Sequence, residues 1–161
     1  MNEILELLQN DARLTAEEIA AMLKKDVKTV RKQIKQLEDD GVIVKYGAII
    51  NQEKVPSKKE TVRAIIELRL IPERETGFDA LAERIYKFPQ VESVCLISGG
   101  YDLQVIIEGK TLKEVAFFVS EKLAPLNGVQ STKTHFVLKK YKENGTILSG
   151  REKPARLSIA P

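Results

Sequence analysis

Cysteine and histidine are nearly absent: Cys95 and His135 are the only ones in 161 residues. A lone cysteine has no internal disulfide partner and excludes a CxxC metal site, and a lone histidine argues against a multi-histidine centre or a Cys–His pair. Both read as structural, Cys95 as a small buried hydrophobe and His135 as an ordinary strand residue. Aromatic residues make up only 6%. Long apolar runs are missing too: Val115 to Val119, which no other run exceeds, is far short of the roughly 20 residues that span a bilayer. No charged n-region followed by an apolar segment opens the chain, which argues against secretion. There is no internal repeat and no low-complexity tract. The expectation is a cytoplasmic protein with no metal, no cofactor and no membrane partner.

What is present is 43% hydrophobic residues, enough for a real core, in a length that suits one domain or two small ones. The net charge of +3 hides its own distribution. Residues 1 to 23 are net −4, whereas Lys24 to Lys35 hold six basic residues against Asp26 alone. Residues 36 to 54 return to net −2. A concentrated basic block in an acidic neighbourhood suits a surface that docks on phosphates.

Local patterns place that block. Ile4, Leu5, Leu7 and Leu8 mark a short amphipathic helix. Thr15 and Glu18 fit a capping box, followed by Ile19, Ala20, Met22 and Leu23 as the buried face of a second helix. Asp26 is an N-cap for a third helix, in which Val27, Val30, Ile34 and Leu37 form an apolar stripe roughly 80° wide. Lys28, Arg31, Lys32 and Lys35 form a second stripe about 130° away. Gly41 ends this helix in the left-handed conformation. Val42 to Ile50, β-branched around Gly47, reads as a two-stranded hairpin. Three helices and a hairpin make a winged helix-turn-helix.

Residues 51 to 61 are polar, contain Pro56 and Ser57, and form the best linker in the chain. The second half has another rhythm. Strands are expected over Val62 to Ile71, Val91 to Ser98, Tyr101 to Glu108 and Val129 to Lys139. Helices are expected over Gly77 to Phe88 and Leu112 to Leu123. Gly99-Gly100 signals a hairpin between the central strands. The order β-α-β-β-α-β is ferredoxin-like. The fold class is therefore α+β: a winged helix-turn-helix over 1–52, a linker over 53–61, a ferredoxin-like domain over 62–140 and an extension over 141–161. That extension closes on a short apolar stretch suited to pairing with a neighbour.

A helix fits the major groove of DNA and enters it with its N-terminal residues nearest the bases. Lys28 and Thr29 lie in the first turn, within reach of base edges or flanking phosphates. Lys25, Arg31, Lys32 and Lys35 suit phosphates, and Lys45 with Tyr46 suits wing contacts to the backbone. The alternative, that a charged helical stripe simply faces water, is weakened by the capped helix before it and the hairpin after it.

At this point the chain resembles the Lrp/AsnC (feast/famine) family of transcription regulators over nearly its whole length. Leu14-Thr15 with Ile19-Ala20, then Thr29-Val30, Ile34 and Leu37-Glu38, look like the two helices of the family's helix-turn-helix. Gly41-Val42-Ile43, Tyr46, Ala48, Ile50 and Asn51 look like its hairpin. Ser98-Gly99-Gly100-Tyr101-Asp102 resembles the family's glycine-tyrosine-aspartate turn, and Thr132 with Thr134 fits the last strand. Departures are Lys24-Lys25 where the family often has glycine, Asp26 in place of a serine cap, and Gln33 where arginine is common.

The resemblance implies double-stranded DNA as a partner and homodimers, with further assembly to tetramers or octamers. It also implies a small effector, usually an amino acid, bound where dimers meet. Ser98, Gly99, Gly100, Tyr101, Asp102, Thr132 and Thr134 are the candidate effector residues. Glycine amides approach a carboxylate closely, Asp102 suits an α-ammonium, and threonine hydroxyls complete a cage. The competing reading is that Gly99-Gly100 only makes a turn. Two other functions stand beside the regulator. One is a nucleoid-like architectural protein, since lysine lacks arginine's bidentate fork for guanine. The other is an enzyme similar to siroheme decarboxylases, which would rest on His135 with Arg63, Arg69, Arg74 and Arg84. One histidine is a thin basis for acid–base chemistry, and no enzymatic activity is expected.

Overall fold

Short polar side chains start most of the helices. In a computed structural model, which describes residues 2–56, 61–71 and 77–148, Asn2 Oδ1 accepts from the Ile4 amide at 3.0 Å and opens α1 (Glu3–Asn10). Thr15 and Glu18 close the expected capping box on α2 (Ala16–Leu23). Asp26 accepts from the Thr29 amide at 2.9 Å and opens α3 (Val27–Asp39). The core of this unit is Ile4, Leu8, Ile19, Ala20 and Val30, with Ile34, Leu37 and Ile43 packed against it. The apolar stripe of α3 thus faces inward, and the basic stripe is left outside.

Two turns of this unit use the left-handed region. Gly41 adopts φ +69° just beyond α3, as its position in the sequence suggests. Lys24, between α2 and α3, has φ +52°, a left-handed conformation on a residue with a side chain.

The hairpin expected over Val42 to Ile50 is not formed: this segment carries no ladder. Ile43 is pinned by its amide to Leu37 O at 2.9 Å and packs on the core, while Val44 is 88% exposed. Arms of about four residues on either side of Gly47 make a marginal two-stranded ribbon without a third strand to bury one face.

The chain divides into two compact units, Met1–Ile50 and Asn51–Pro161. In the second, a four-stranded antiparallel sheet runs β2-β3-β1-β4, with β1 Val62–Leu70, β2 Val91–Leu96, β3 Leu103–Gly109 and β4 Val129–Phe136. Helices α4 (Asp79–Tyr86) and α5 (Leu112–Phe118) cover one face. Alternation sends Ala64, Ile66, Leu68 and Leu70 of β1, and Leu103, Val105 and Ile107 of β3, into a core closed by Ile85, Val115, Phe118 and Leu123. This is the ferredoxin-like arrangement the element order predicts.

Several boundaries move inward. Strand β4 ends at Phe136 rather than Lys139: its register with β1 closes at Ala64↔Phe136, with one further bond from the Val137 amide to Arg63 O at 2.9 Å. Past Phe118, α5 continues as a π-helical turn, Val119–Leu123. Cys95 is exposed rather than buried, because its register with Gln104 sets it on the face the helices do not cover. The start of the C-terminal extension folds into a small hairpin, β5 (Lys142–Glu143) and β6 (Thr146–Ile147). Asn144 and Gly145 supply its positive φ angles, 43° and 83°, the turn chemistry that Asn-Gly favours. The apolar end of the chain and the middle of the linker lie outside the described residues.

Candidate nucleic-acid interface and ligand site

The exposed side of α3 sorts into committed and uncommitted cations. Lys25 donates to Glu3 at 2.7 Å, Lys35 to Asp39 at 3.0 Å, and Arg31 pairs with Glu17. The side chains of Lys28 and Lys32, one turn apart, carry no hydrogen bond or ion pair among the described residues; nor do those of Lys24 and Lys45. Thr29 holds its hydroxyl against the Asp26 carboxylate at 3.2 Å. Tyr46 donates to Glu38 at 2.9 Å, and burial followed by that carboxylate raises its phenol above its ordinary pKa. The sequence reading did not single out Glu17, Glu38 and Asp39 as neutralising partners. Only the Lys35–Asp39 spacing of four signals its pair directly. Lys24, counted in the basic block though not among the expected contact residues, is an uncommitted cation of the turn among the described residues.

These exposed pairs are weak and screened by salt. Phosphates can recruit Arg31 and Lys35 at small cost, while Lys28 and Lys32 give up no partner. The site can therefore bind a polyanion along one helix face whose opposite face is held by Val30, fully buried.

The second candidate site begins at the β2–β3 connection. Its turn is longer than the Gly99-Gly100 signal suggests: Ile97 N donates to Asp102 O at 2.8 Å, closing a six-residue loop. Asp102 is anchored twice to β1, through its amide to Leu68 O at 2.9 Å and through Oδ2, which accepts from the Leu70 amide at 2.7 Å. Arg69 Nε donates to Gly100 O at 3.1 Å, and Gln104 donates to the Tyr101 hydroxyl at 3.1 Å. Ser98, Gly99 and Gly100 are exposed.

Neither glycine has a left-handed φ. A Cβ on Gly99 would meet only Ile97 at 3.7 Å, and one on Gly100 would meet nothing within 4 Å. Thr132 and Thr134 stand on β4 opposite Leu68 and Ile66, which are in turn opposite Leu103 and Val105 of β3. They share the loop's end of the sheet but lie two strand spacings, about 10 Å, from β3. The loop and the threonines are brought into one region, not into contact.

Three of the residues behind an enzymatic reading are otherwise occupied, while Arg84 has no side-chain partner among the described residues. His135 Nε2 faces Glu67 Oε1 at 3.1 Å. Arg63 pairs with Glu92 at 3.0 Å and Glu143 at 3.3 Å, and Arg69 holds Gly100. Arg74 lies outside the described residues. Among the described residues there is no group of three metal-capable side chains, and no helix is long and apolar enough to cross a membrane.

A capped helix-turn-helix with an outward basic face, joined to a ferredoxin-like domain, defines a DNA-binding regulator with an appended ligand-binding module. Residues 63–147 match the Lrp/AsnC ligand binding domain and residues 2–44 a winged helix-turn-helix DNA-binding domain. The chain is 45% identical over 159 residues to the HTH-type transcriptional regulator YugG of Bacillus subtilis, covering 99% of this chain and 95% of that protein. It is 30% identical over 141 residues to the HTH-type transcriptional regulator FL11 of Pyrococcus furiosus, covering 88% and 89%. Among solved structures it resembles the Neisseria meningitidis transcriptional regulator NMB0573 in complex with L-Met, with a TM-score of 0.70, 26% identity, and 90% and 92% coverage. The chain belongs to the Lrp/AsnC family of transcriptional regulators.

Proposed function

We propose that this regulator binds specific DNA sites as a homodimer and that an amino acid bound in its ferredoxin-like half modulates it. In this reading α3 enters the major groove: Lys28 lies nearest the base edges, the Thr29 side chain and backbone contact flanking phosphates, and Lys25, Arg31, Lys32 and Lys35 follow the backbone. Lys45 and Tyr46 add contacts from the segment after α3. The observation that carries the reading is the pair Lys28 and Lys32, whose side chains have no partner among the described residues, on a helix whose other side is locked by Val30. A dimer presents two such helices about one helical turn of DNA apart and combines their affinities.

The effector assignment falls on Ser98, Gly99, Gly100, Tyr101 and Asp102, with Thr132 and Thr134. Support comes from the two glycines, which the turn itself does not require. Their remaining use is to let a ligand approach the backbone amides. One oxygen of Asp102 is committed to Leu70, so an α-ammonium would use the other. An amino acid also fits the L-Met seen with the Neisseria relative. The effector would act by changing how subunits associate, a coupling typically about 1–3 kcal/mol.

The test is selection of bound sequences from a random duplex pool, followed by titration of selected and scrambled duplexes at fixed salt, with and without each amino acid. A ratio of specific to non-specific affinity above about 10³ supports a regulator of defined sites. A ratio near one favours the architectural alternative.

A further inference from the structure

At the end of β3 away from the 97–102 loop, a cavity of about 140 Å³ opens between the sheet and α5. Its floor is apolar, with Ile107, Val115 and Phe118 at 1%, 1% and 7% exposure. Three polar groups on residues that line it lack partners among the described residues. The Gln90 side-chain oxygen is buried without any hydrogen bond, a condition that costs a folded protein free energy unless something supplies a donor. Glu121 and Lys122 also line the cavity, and neither forms an ion pair with a described residue. Both sit on the π-helical turn Val119–Leu123 that extends α5. Such turns are rare and recur at functional positions.

We infer that this cavity is a second ligand site, separate from the loop and selective for a small apolar α-amino acid. The inference rests on the reading that amino acids are the effectors of this protein. The ammonium donates to Gln90 Oε1 and faces Glu121, Lys122 takes the carboxylate, and the aliphatic side chain lies on Ile107, Val115 and Phe118. An apolar cavity of about 150 Å³ accommodates a benzene-sized group, so a leucine or valine side chain fits. A mostly apolar concavity with a few convergent polar groups is the usual form of a small-molecule site. The seven residues of β3 hold this cavity and the loop about 20 Å apart.

The full-length protein labelled with ¹⁵N-glycine decides the matter, since its nine glycines include Gly109 in the cavity wall and Gly99 and Gly100 in the loop. L-Leucine, L-valine and the remaining protein amino acids are titrated one at a time. The expected result is a saturable shift of the Gly109 signal with leucine or valine. Gln90→Leu and Lys122→Ala should each raise the half-saturating concentration roughly tenfold or more. Lys122 is exposed, so its variant stands as the test if Gln90→Leu fails to fold. A Gly109 shift insensitive to the folded variants, or produced only by charged amino acids, overturns the second site. Shifts confined to Gly99 and Gly100 overturn it while leaving the loop as the effector site. No glycine shift with any amino acid removes both.

Discussion

The Asp102 carboxylate accepts a hydrogen bond from the Leu70 amide at 2.7 Å, tying the β2–β3 loop to the end of β1. A residue proposed to meet ligand is therefore also part of the frame. Asp102→Ala would leave the Leu70 amide without its partner and should destabilise the ferredoxin-like domain by about 1–3 kcal/mol. Asp102→Asn, which keeps an acceptor, should lose less. Chemical denaturation followed by circular dichroism measures both.

Gly99→Ala and Gly100→Ala should behave in the opposite way. Neither position needs glycine for its φ or its space, so stability should hold or rise by about 0.4–1 kcal/mol. The response of DNA binding to the effector should fall. Thermal unfolding and effector titration on the same samples separate the two properties.

Lys24→Gly should stabilise the N-terminal unit. The left-handed φ of +52° costs a residue with a side chain roughly 1–2 kcal/mol. The greater freedom of glycine in the unfolded chain returns part of that, about 0.5–1 kcal/mol. A net gain of roughly 0.5–1 kcal/mol is expected, read as a higher urea midpoint.

Charge reversal of Lys28 and Lys32 together should abolish retention of selected DNA in a gel. Lys32→Ala alone should lower the slope of log K against log salt by about 0.9 for its one phosphate. Glu17→Gln frees Arg31 and should strengthen binding a few-fold at low salt. Titrations at several salt concentrations check all three. Unchanged retention after the double reversal would refute the placement of α3 on DNA.

Acid should weaken the N-terminal unit through its exposed carboxylates. Arg13 hydrogen-bonds hold Asp11 down from 3.8 to about 2. Lys25 lowers Glu3, the Thr15 amide and hydroxyl lower Glu18, and a backbone amide with Arg31 lowers Glu17. A carboxylate whose folded value is depressed contributes stability that is complete above its unfolded value and is lost as pH falls through the folded one. For Asp11 that window runs from 3.8 down to about 2. Arg13→Ala should return Asp11 to the ordinary carboxylate range, seen by NMR titration of its side chain.

Local chemistry written into adjacent residues was legible from the chain alone. Thr15 with Glu18, Asp26 three residues before Thr29, the stripe Val27-Val30-Ile34-Leu37 and Gly41 all act through neighbours one turn away, so pattern alone locates them. The alternation of β1 and β3 set the ferredoxin-like sheet in the same way. Distance in sequence hid the rest. The Arg31–Glu17 pair, the Asp102–Leu70 anchor, the exposure of Cys95 and the unpartnered oxygen of Gln90 arise only when segments meet through register and packing. The basic helix and its buried stripe were thus decided by the order of residues, whereas the tertiary arrangement decided which cations and polar atoms stay free to bind, because freedom depends on what the rest of the fold brings near.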